Sequence, residues 1–163
     1  MVKRICHEGE DCPVARSLDA IGDWWSLLII RDAFDGKRRF GEFQKNIGVA
    51  KNILAARLRN LVAHGILDMV PASDGSAYQD YVLTQKGRDL FPVLVAITQW
   101  GCTYFYDARE NFPVMVDKVS GQPVRVLELH AHDGRLLDAD DVTLTFPTVK
   151  TARKKSRADT EAA

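Results

Sequence analysis

The sequence predicts a mainly α-helical fold with a small β component, and three observations carry that prediction. Apolar residues recur at helical spacing through most of residues 14–107. Two strand-like runs, 66–70 and 78–83, flank a single turn, Ser73-Asp74-Gly75-Ser76. Between residues 37 and 65 there are seven Lys or Arg (37, 38, 39, 45, 51, 57, 59) against one acid, Glu42, although the whole chain is formally neutral. Helix, turn, helix and hairpin in that order make a winged helix-turn-helix, in which the second helix enters the major groove and the hairpin reaches the backbone or minor groove. A basic patch laid on that motif is the electrostatic footprint of a duplex-DNA reader, whatever the overall charge.

Taken in order, the elements begin at Cys12-Pro13, which reads as an N-cap followed by proline at the first helical position, where its missing N–H costs nothing. The helix 14–21 is expected to bury Val14, Leu18 and Ile21 and to end near Gly22. A second helix, 23–34, starts at the N-cap candidate Asp23, places Trp25, Leu28 and Ile29 on one face and stops at Asp35-Gly36. Its run Leu27-Leu28-Ile29-Ile30 is apolar all round, which marks it as central to the core. The two reading helices span 40–47 and 51–64. The second buries Ile53, Leu54, Leu58 and Leu61 and is stopped by Gly65.

One long helix is then expected over 84–107, bent at Pro92, because proline removes a backbone hydrogen bond and clashes with the preceding turn. Its apolar set, Leu90, Phe91, Leu94, Ile97, Trp100, Tyr104 and Phe105, covers more than one face. That surplus predicts a homodimer. Beyond Asn111-Phe112-Pro113 the pattern alternates (Val114 and Val116, Val124 and Val126, Val142, Leu144 and Phe146) with turns at Gly121 and Asp133-Gly134, a small β appendage. The domain reading is a flexible arm over 1–11, the winged helix-turn-helix domain over 12–107, the appendage over 108–149 and a disordered basic tail over 150–163.

Composition excludes several classes. The apolar runs 27–30 and 91–97 are too short to span a bilayer, and the N-terminus lacks the apolar segment of a secretory signal, so a soluble, cytoplasmic protein with no membrane partner is expected. Three widely spaced cysteines, 6, 12 and 102, encode neither a disulfide framework nor a Cys-rich zinc site. No phosphate-binding glycine motif, nucleophile elbow or His-Glu-x-x-His is present, so no enzymatic activity, cofactor or metal is expected.

The strings Cys12-Pro13-Val14-Ala15-Arg16, Gly22-Asp23-Trp24-Trp25-Ser26-Leu27-Leu28-Ile29-Ile30-Arg31, Gly36-Lys37-Arg38-Arg39-Phe40-Gly41-Glu42-Phe43, Leu54-Ala55-Ala56-Arg57-Leu58-Arg59-Asn60-Leu61 and Tyr81-Val82-Leu83-Thr84-Gln85-Lys86-Gly87 together resemble the HxlR family of bacterial transcriptional regulators, relatives of the MarR group. The resemblance implies a dimeric winged-helix regulator that represses or activates nearby genes. Three positions depart from the family pattern: Ala50 where Ser or Thr often caps the recognition helix, Trp24 where a basic residue is common, and a wing holding Asp74 without a positive charge. The helix rather than the wing is therefore expected to supply DNA affinity. In the appendage, Asp117-Lys118-Val119-Ser120-Gly121 and His130-Ala131-His132-Asp133-Gly134 resemble two zinc knuckles that keep the glycines and have lost the thiolates, a degenerate zinc ribbon.

The residues assigned to DNA are Arg38, Arg39, Lys51, Asn52, Ala55, Arg59 and Ser76. Asn52 matches adenine and Lys51 or Arg59 guanine or phosphate, while Arg38 and Arg39 are placed for phosphates, which position without specifying. Arg57 admits either DNA contact or an ion pair with Glu42 or an acid of the last helix. Cys12 admits two readings: a thiol sensor of oxidants or electrophiles, as the resemblance implies for the Cys-Pro position, or a packed small hydrophobe. Trp24, Trp25 and Trp100 mark a pocket for a small-molecule effector as the rival input. The competing overall function is a ligand- or protein-binding dimer that has lost specific DNA reading.

Overall fold

The structure, a computed structural model, describes residues 11–107 and 109–145. The expected arm to residue 10 with Cys6, Phe146 and the basic tail lie outside the described residues. The elements run α1 (Pro13–Ile21), α2 (Ser26–Phe34), α3 (Phe40–Ile47), α4 (Lys51–Ala63), β1 (Leu67–Pro71), β2 (Gln79–Leu83), α5 (Gln85–Arg88) and α6 (Phe91–Phe105). This is the mainly α, small-β winged helix-turn-helix order. The described residues fall into two compact units that divide between Arg125 and Val126.

In the first unit the core is built by α2, α3, α4 and the hairpin. Ile29, Ile30, Phe43, Leu54, Leu58, Leu61, Ile66 and Leu67 are fully buried in one cluster. Leu54, Leu58 and Leu61 form the i, i+4, i+7 stripe of α4. Ile53, expected in that stripe, is exposed instead, because it sits about a quarter-turn away from Leu54 on the helix. Trp25, not Asp23 as expected, holds the N-cap position of α2, but the Asp23 carboxylate still closes the start of the helix, accepting from the backbone N–H groups of Trp25 (2.9 Å) and Ser26 (3.1 Å) and from the Ser26 hydroxyl. The helix itself starts at Ser26, so Asp23, Trp24 and Trp25 form the turn ahead of it.

Two expectations about the flanking helices are corrected. Of the three apolar residues assigned to the core from α1, only Ile21 is buried, while Val14 and Leu18 are 65% and 51% exposed. The last turn of α1 alone reaches the core, and the rest lies along its edge. The long C-terminal helix is two helices: Pro92 occupies the first turn of α6, where a missing N–H is harmless, so the chain breaks at Asp89-Leu90 rather than bending at the proline. Thr84 ties the short α5 to the end of α4. Its hydroxyl accepts from Gly87 N–H (3.0 Å) and donates to the Gly65 carbonyl (2.6 Å), while Lys86 donates to the His64 carbonyl (2.8 Å). A Cβ at Gly87 would run into the Ile66 carbonyl, which explains the glycine.

The hairpin pairs Leu67 with Leu83 through to Pro71 with Gln79, antiparallel. On the outer edge of β2 the Tyr81 N–H donates to the Arg38 carbonyl (2.9 Å), so the residues ahead of α3 are tied to the wing. A carboxylate the sequence reading missed, Asp32, is fully buried beneath α2 and α3. It accepts from the Arg31 guanidinium (2.8 Å) and both its oxygens accept from the Asn46 amide (2.8 and 2.9 Å), with the Lys37 ammonium at 3.8 Å. A buried carboxylate with this many donors fixes the angle between the two helices.

The appendage contains no regular strand among its described residues. Its β pattern survives as two isolated antiparallel bridges, Val116 with Pro123 in the first unit and His130 with Leu136 in the second. The alternating runs are too short, and Pro113 and Pro123 remove ladder donors. Each bridge closes a knuckle-like turn, ending at Gly121 (φ +68°) and Gly134 (φ +87°).

Candidate nucleic-acid interface

The interface is built upward from the turn between α3 and α4. Gly48 adopts φ +72° and closes α3 by donating to the Gln44 carbonyl, a conformation open to glycine at little cost. Val49 is buried and plugs the turn beneath. Ala50 then supplies only its carbonyl to Leu54 N–H (3.0 Å), with no side-chain cap. The first N–H groups of α4 therefore stay open toward solvent, where a phosphate can meet them.

The outer face of α4 presents Asn52, Ala56, Arg59 and Ala63 at i, i+4, i+7 and i+11, with Lys51 on the first turn, all exposed. Ala55 is half-buried at the edge of that face. Among the described residues the side chains of Lys51, Asn52 and Arg59 make no hydrogen bond or ion pair, so their donors are uncommitted. Three exposed polar side chains beside the small Ala56 and Ala63 leave this face open to close approach.

The remaining polar residues of α4 have structural partners. Arg57 pairs with Asp23 (3.2 Å), whose carboxylate closes the start of α2, rather than with Glu42 or an acid of the last helix. Asn60 donates to the Ala20 carbonyl at the end of α1 (3.2 Å). Both join the recognition helix to the junction of α1 and α2.

Ahead of α3, Arg38 is exposed and, among the described residues, its guanidinium holds no carboxylate. The Arg38 and Arg39 N–H groups both donate to Glu42 Oε2 (2.8 Å each), which holds the Glu42 carboxyl below its usual range. Arg39 differs from Arg38. Its Nε pairs with the buried Asp80, its Nη2 with Asp74 at the wing tip (2.9 Å), and its Nη1 lies 3.4 Å from the Ser76 hydroxyl. The Tyr78 ring centroid is 5.8 Å from the guanidinium carbon. The Ser76 hydroxyl and N–H, and then Arg39, hold the Asp74 carboxyl down at about 2. The wing thus carries one borrowed positive charge, which inspection of the hairpin sequence alone cannot reveal.

The candidate input sites are separate. Cys12 is an exposed free thiol at the N-cap of α1 in the single chain. Cys102 is half-buried and lines a groove with Arg31, Lys37 and Tyr106. Trp24, 88% exposed, borders an apolar groove of about 540 Å³ formed by Val14, Leu18, Leu27, Val93 and Ile97. Trp25 packs against the core, and Trp100 meets Tyr104 at a tilt and Phe105 edge-to-face (centroids 5.7 and 5.0 Å). Among the described residues, the groove that Trp24 borders is not lined by Trp25 or Trp100. In the appendage, the Asp117 carboxylate accepts from Val119 N–H, Ser120 N–H and the Ser120 hydroxyl, which hold its carboxyl below the usual range. No group of three metal-ligating side chains forms among the described residues.

A tight turn plugged by one buried valine between two helices, an open polar helix face and a paired hairpin define a winged helix-turn-helix protein. The HxlR-like helix-turn-helix family matches residues 20–109, more than half of the chain, and the chain belongs to that family. The HTH-type transcriptional regulator Rv3095 of Mycobacterium tuberculosis is 44% identical over 103 residues, 63% of this chain and 65% of that protein; the chain thus matches a little under two thirds of such a curated relative's length. The crystal structure of PA1607, a candidate transcription factor, superposes with a TM-score of 0.82 at 58% identity, covering 85% of this chain and 97% of that one. The oxidised form of the redox regulator HypR superposes with a TM-score of 0.53 at 33% identity, over 60% of this chain and all of HypR. The likeness to PA1607 therefore runs past the family domain into the appendage, and the likeness to HypR covers a share close to that of the domain alone. No described helix is long and apolar enough to cross a membrane.

Proposed function

We propose that this chain is a sequence-specific, DNA-binding transcriptional regulator, acting in the cytoplasm as a homodimer on a near-palindromic operator. The observation that carries the reading is the outer face of α4: Lys51, Asn52 and Arg59 are exposed, uncommitted and flanked by alanines, while every other polar side chain of the helix that faces inward is tied to a structural partner. A helix surface kept free in this way is suited to the major groove, with Asn52 reading adenine and Lys51 or Arg59 reading guanine or phosphate. Arg38 serves the backbone.

Dimerisation is supported by the apolar residues left uncovered on α1 and α6, Val14 and Leu18 with Val93, Ile97, Trp100 and Tyr104. The α6 set falls at i, i+4, i+7 and i+11, one continuous seam. A two-fold axis there would set two α4 helices about one DNA turn apart. Signal input would act on the same seam. Cys12 opens α1 as an exposed thiol, and a structural neighbour, HypR, is a redox regulator by name. The groove beside Trp24 is the place for a small apolar effector instead.

The test is binding of the purified protein to a duplex from upstream of its own gene, with the Lys51→Ala/Arg59→Ala variant as control. Binding by the parent and its loss in the variant are expected. Absence of binding by the parent favours a ligand- or protein-binding dimer that does not read DNA.

A further inference from the structure

Among the described residues, Arg39 is where the reading helices and the wing share a charge, and its three nitrogens are used unequally. Nε faces Asp80, which is buried on β2 and belongs to the hairpin's inner side. Nη2 faces Asp74, exposed at the wing tip, and Nη1 reaches Ser76 on the same tip. The inner partner is the costlier one to give up, because it would leave a buried carboxylate unpaired. The outer partner is the easier to release: Asp74 lies in solvent and keeps a second support, the Ser76 N–H at 3.0 Å, if the arginine leaves. In a winged helix the hairpin tip is the part that reaches the DNA backbone. A phosphate arriving there meets a guanidinium whose outer edge is already occupied by a carboxylate.

Resting on the DNA-binding reading above, we infer that Arg39 is a phosphate seat held closed by Asp74: on binding, Nη2 exchanges the Asp74 carboxylate for a phosphate oxygen of the duplex, while Nε stays on Asp80 and keeps the wing in register with α3. Both partners are oxyanions of similar geometry, so the exchange conserves a charge-assisted pair rather than creating one. Asp74 thereby weakens contact with a duplex that α4 does not fit, and it does so without touching a base. The contact becomes worthwhile only when α4 already fits its site, so Asp74 sharpens the preference for operator over bulk DNA.

The experiment compares the parent with Asp74→Asn on a short non-operator duplex, by fluorescence anisotropy across a series of salt concentrations. One phosphate contact adds about 0.9 to the salt slope, worth up to about eightfold at about 0.1 M salt. Asp74→Asn is expected to bind roughly three- to eightfold more tightly and to steepen the slope by about one. The same substitution is then made in the Arg39→Gln/Asp80→Asn background, an uncharged pair that avoids stranding the buried carboxylate; there it is expected to change neither the slope nor the affinity beyond roughly twofold. Equal tightening in the two backgrounds would mean that Asp74 acts only as a negative charge near DNA and would overturn the seat. So would unchanged binding by Asp74→Asn in the otherwise parental chain. A parent that binds no duplex at all removes the DNA-binding reading itself, and the seat with it.

Discussion

Arg57 of the recognition helix α4 is paired with Asp23, the residue whose carboxylate caps α2, at 3.2 Å between Nε and Oδ1. One acid therefore starts a core helix and orients the reading helix. It also sits on the wall of the groove formed by α1 and α6, where a partner subunit or effector would lie.

Removing that acid should have two separable costs. Asp23→Ala loses the cap of α2 and leaves the Arg57 guanidinium unpaired, for a combined loss of about 2–3 kcal/mol in denaturant unfolding. Asp23→Asn keeps an oxygen for the Trp25 and Ser26 N–H groups and should recover about half of the loss. Equal destabilisation by the two variants would show that the ion pair, not the cap, dominates.

The dimer seam predicts a clean separation of assembly from folding. Leu18→Glu and Ile97→Glu alter residues that are 51% and 45% exposed in the single chain. Each should give a monomer in sedimentation at micromolar concentration with unchanged helical circular dichroism. A stable monomer formed by the parent protein would contradict the seam.

Acid should loosen the wing in a defined window. The Asp74 carboxyl titrates at about 2 in the folded chain and near its ordinary value, about 4, when unfolded. Between those values the unfolded chain binds more protons, so stability rises with pH; the contribution is complete above about pH 4 and is lost as pH falls toward 2. Glu42, also lowered, adds a loss of the same sign. The stability gap between the parent and Asp74→Asn should therefore narrow from pH 5 to pH 2. A gap that stays constant over that range contradicts the assignment.

Thiol input is tested by titrating a quinone or peroxide against DNA binding in the parent and in Cys12→Ser. Adduct formation at the start of α1 should lower the parent's affinity and spare the variant. Equal loss in both, or no loss in either, moves signal input to the groove beside Trp24.

The architecture was legible because its signals are local. Apolar spacing marked α2 and α4, Gly36 and Gly65 marked where they stop, and the polar tip 73–76 marked the wing. What escaped were relationships across the fold. Pro92 in a helical pattern can bend a helix or begin one, and only the packing of α5 under Ile66 decides for the second. Val14 and Leu18 have the spacing of core residues, but spacing names an apolar face without saying which chain covers it. Arg39 looked like a free cation beside Arg38, because its two acid partners lie 35 and 41 positions away on the wing. Asp32 and Asp80 carried no signal at all, since burial of a lone Asp depends on donors supplied by other elements.

The central claim is that α4 reads bases while the residues before α3 only hold the backbone. Its most direct test is affinity as a function of salt for two duplexes, one from upstream of the protein's own gene and one of shuffled sequence, in the parent, Arg38→Ala and Asn52→Ala. Arg38→Ala should weaken both duplexes alike and lower each salt slope by about one. Asn52→Ala should leave the slopes unchanged and lose about 1–3 kcal/mol on the upstream duplex alone. Loss of the same size on both duplexes for Asn52→Ala, or a loss confined to the upstream duplex for Arg38→Ala, would contradict it.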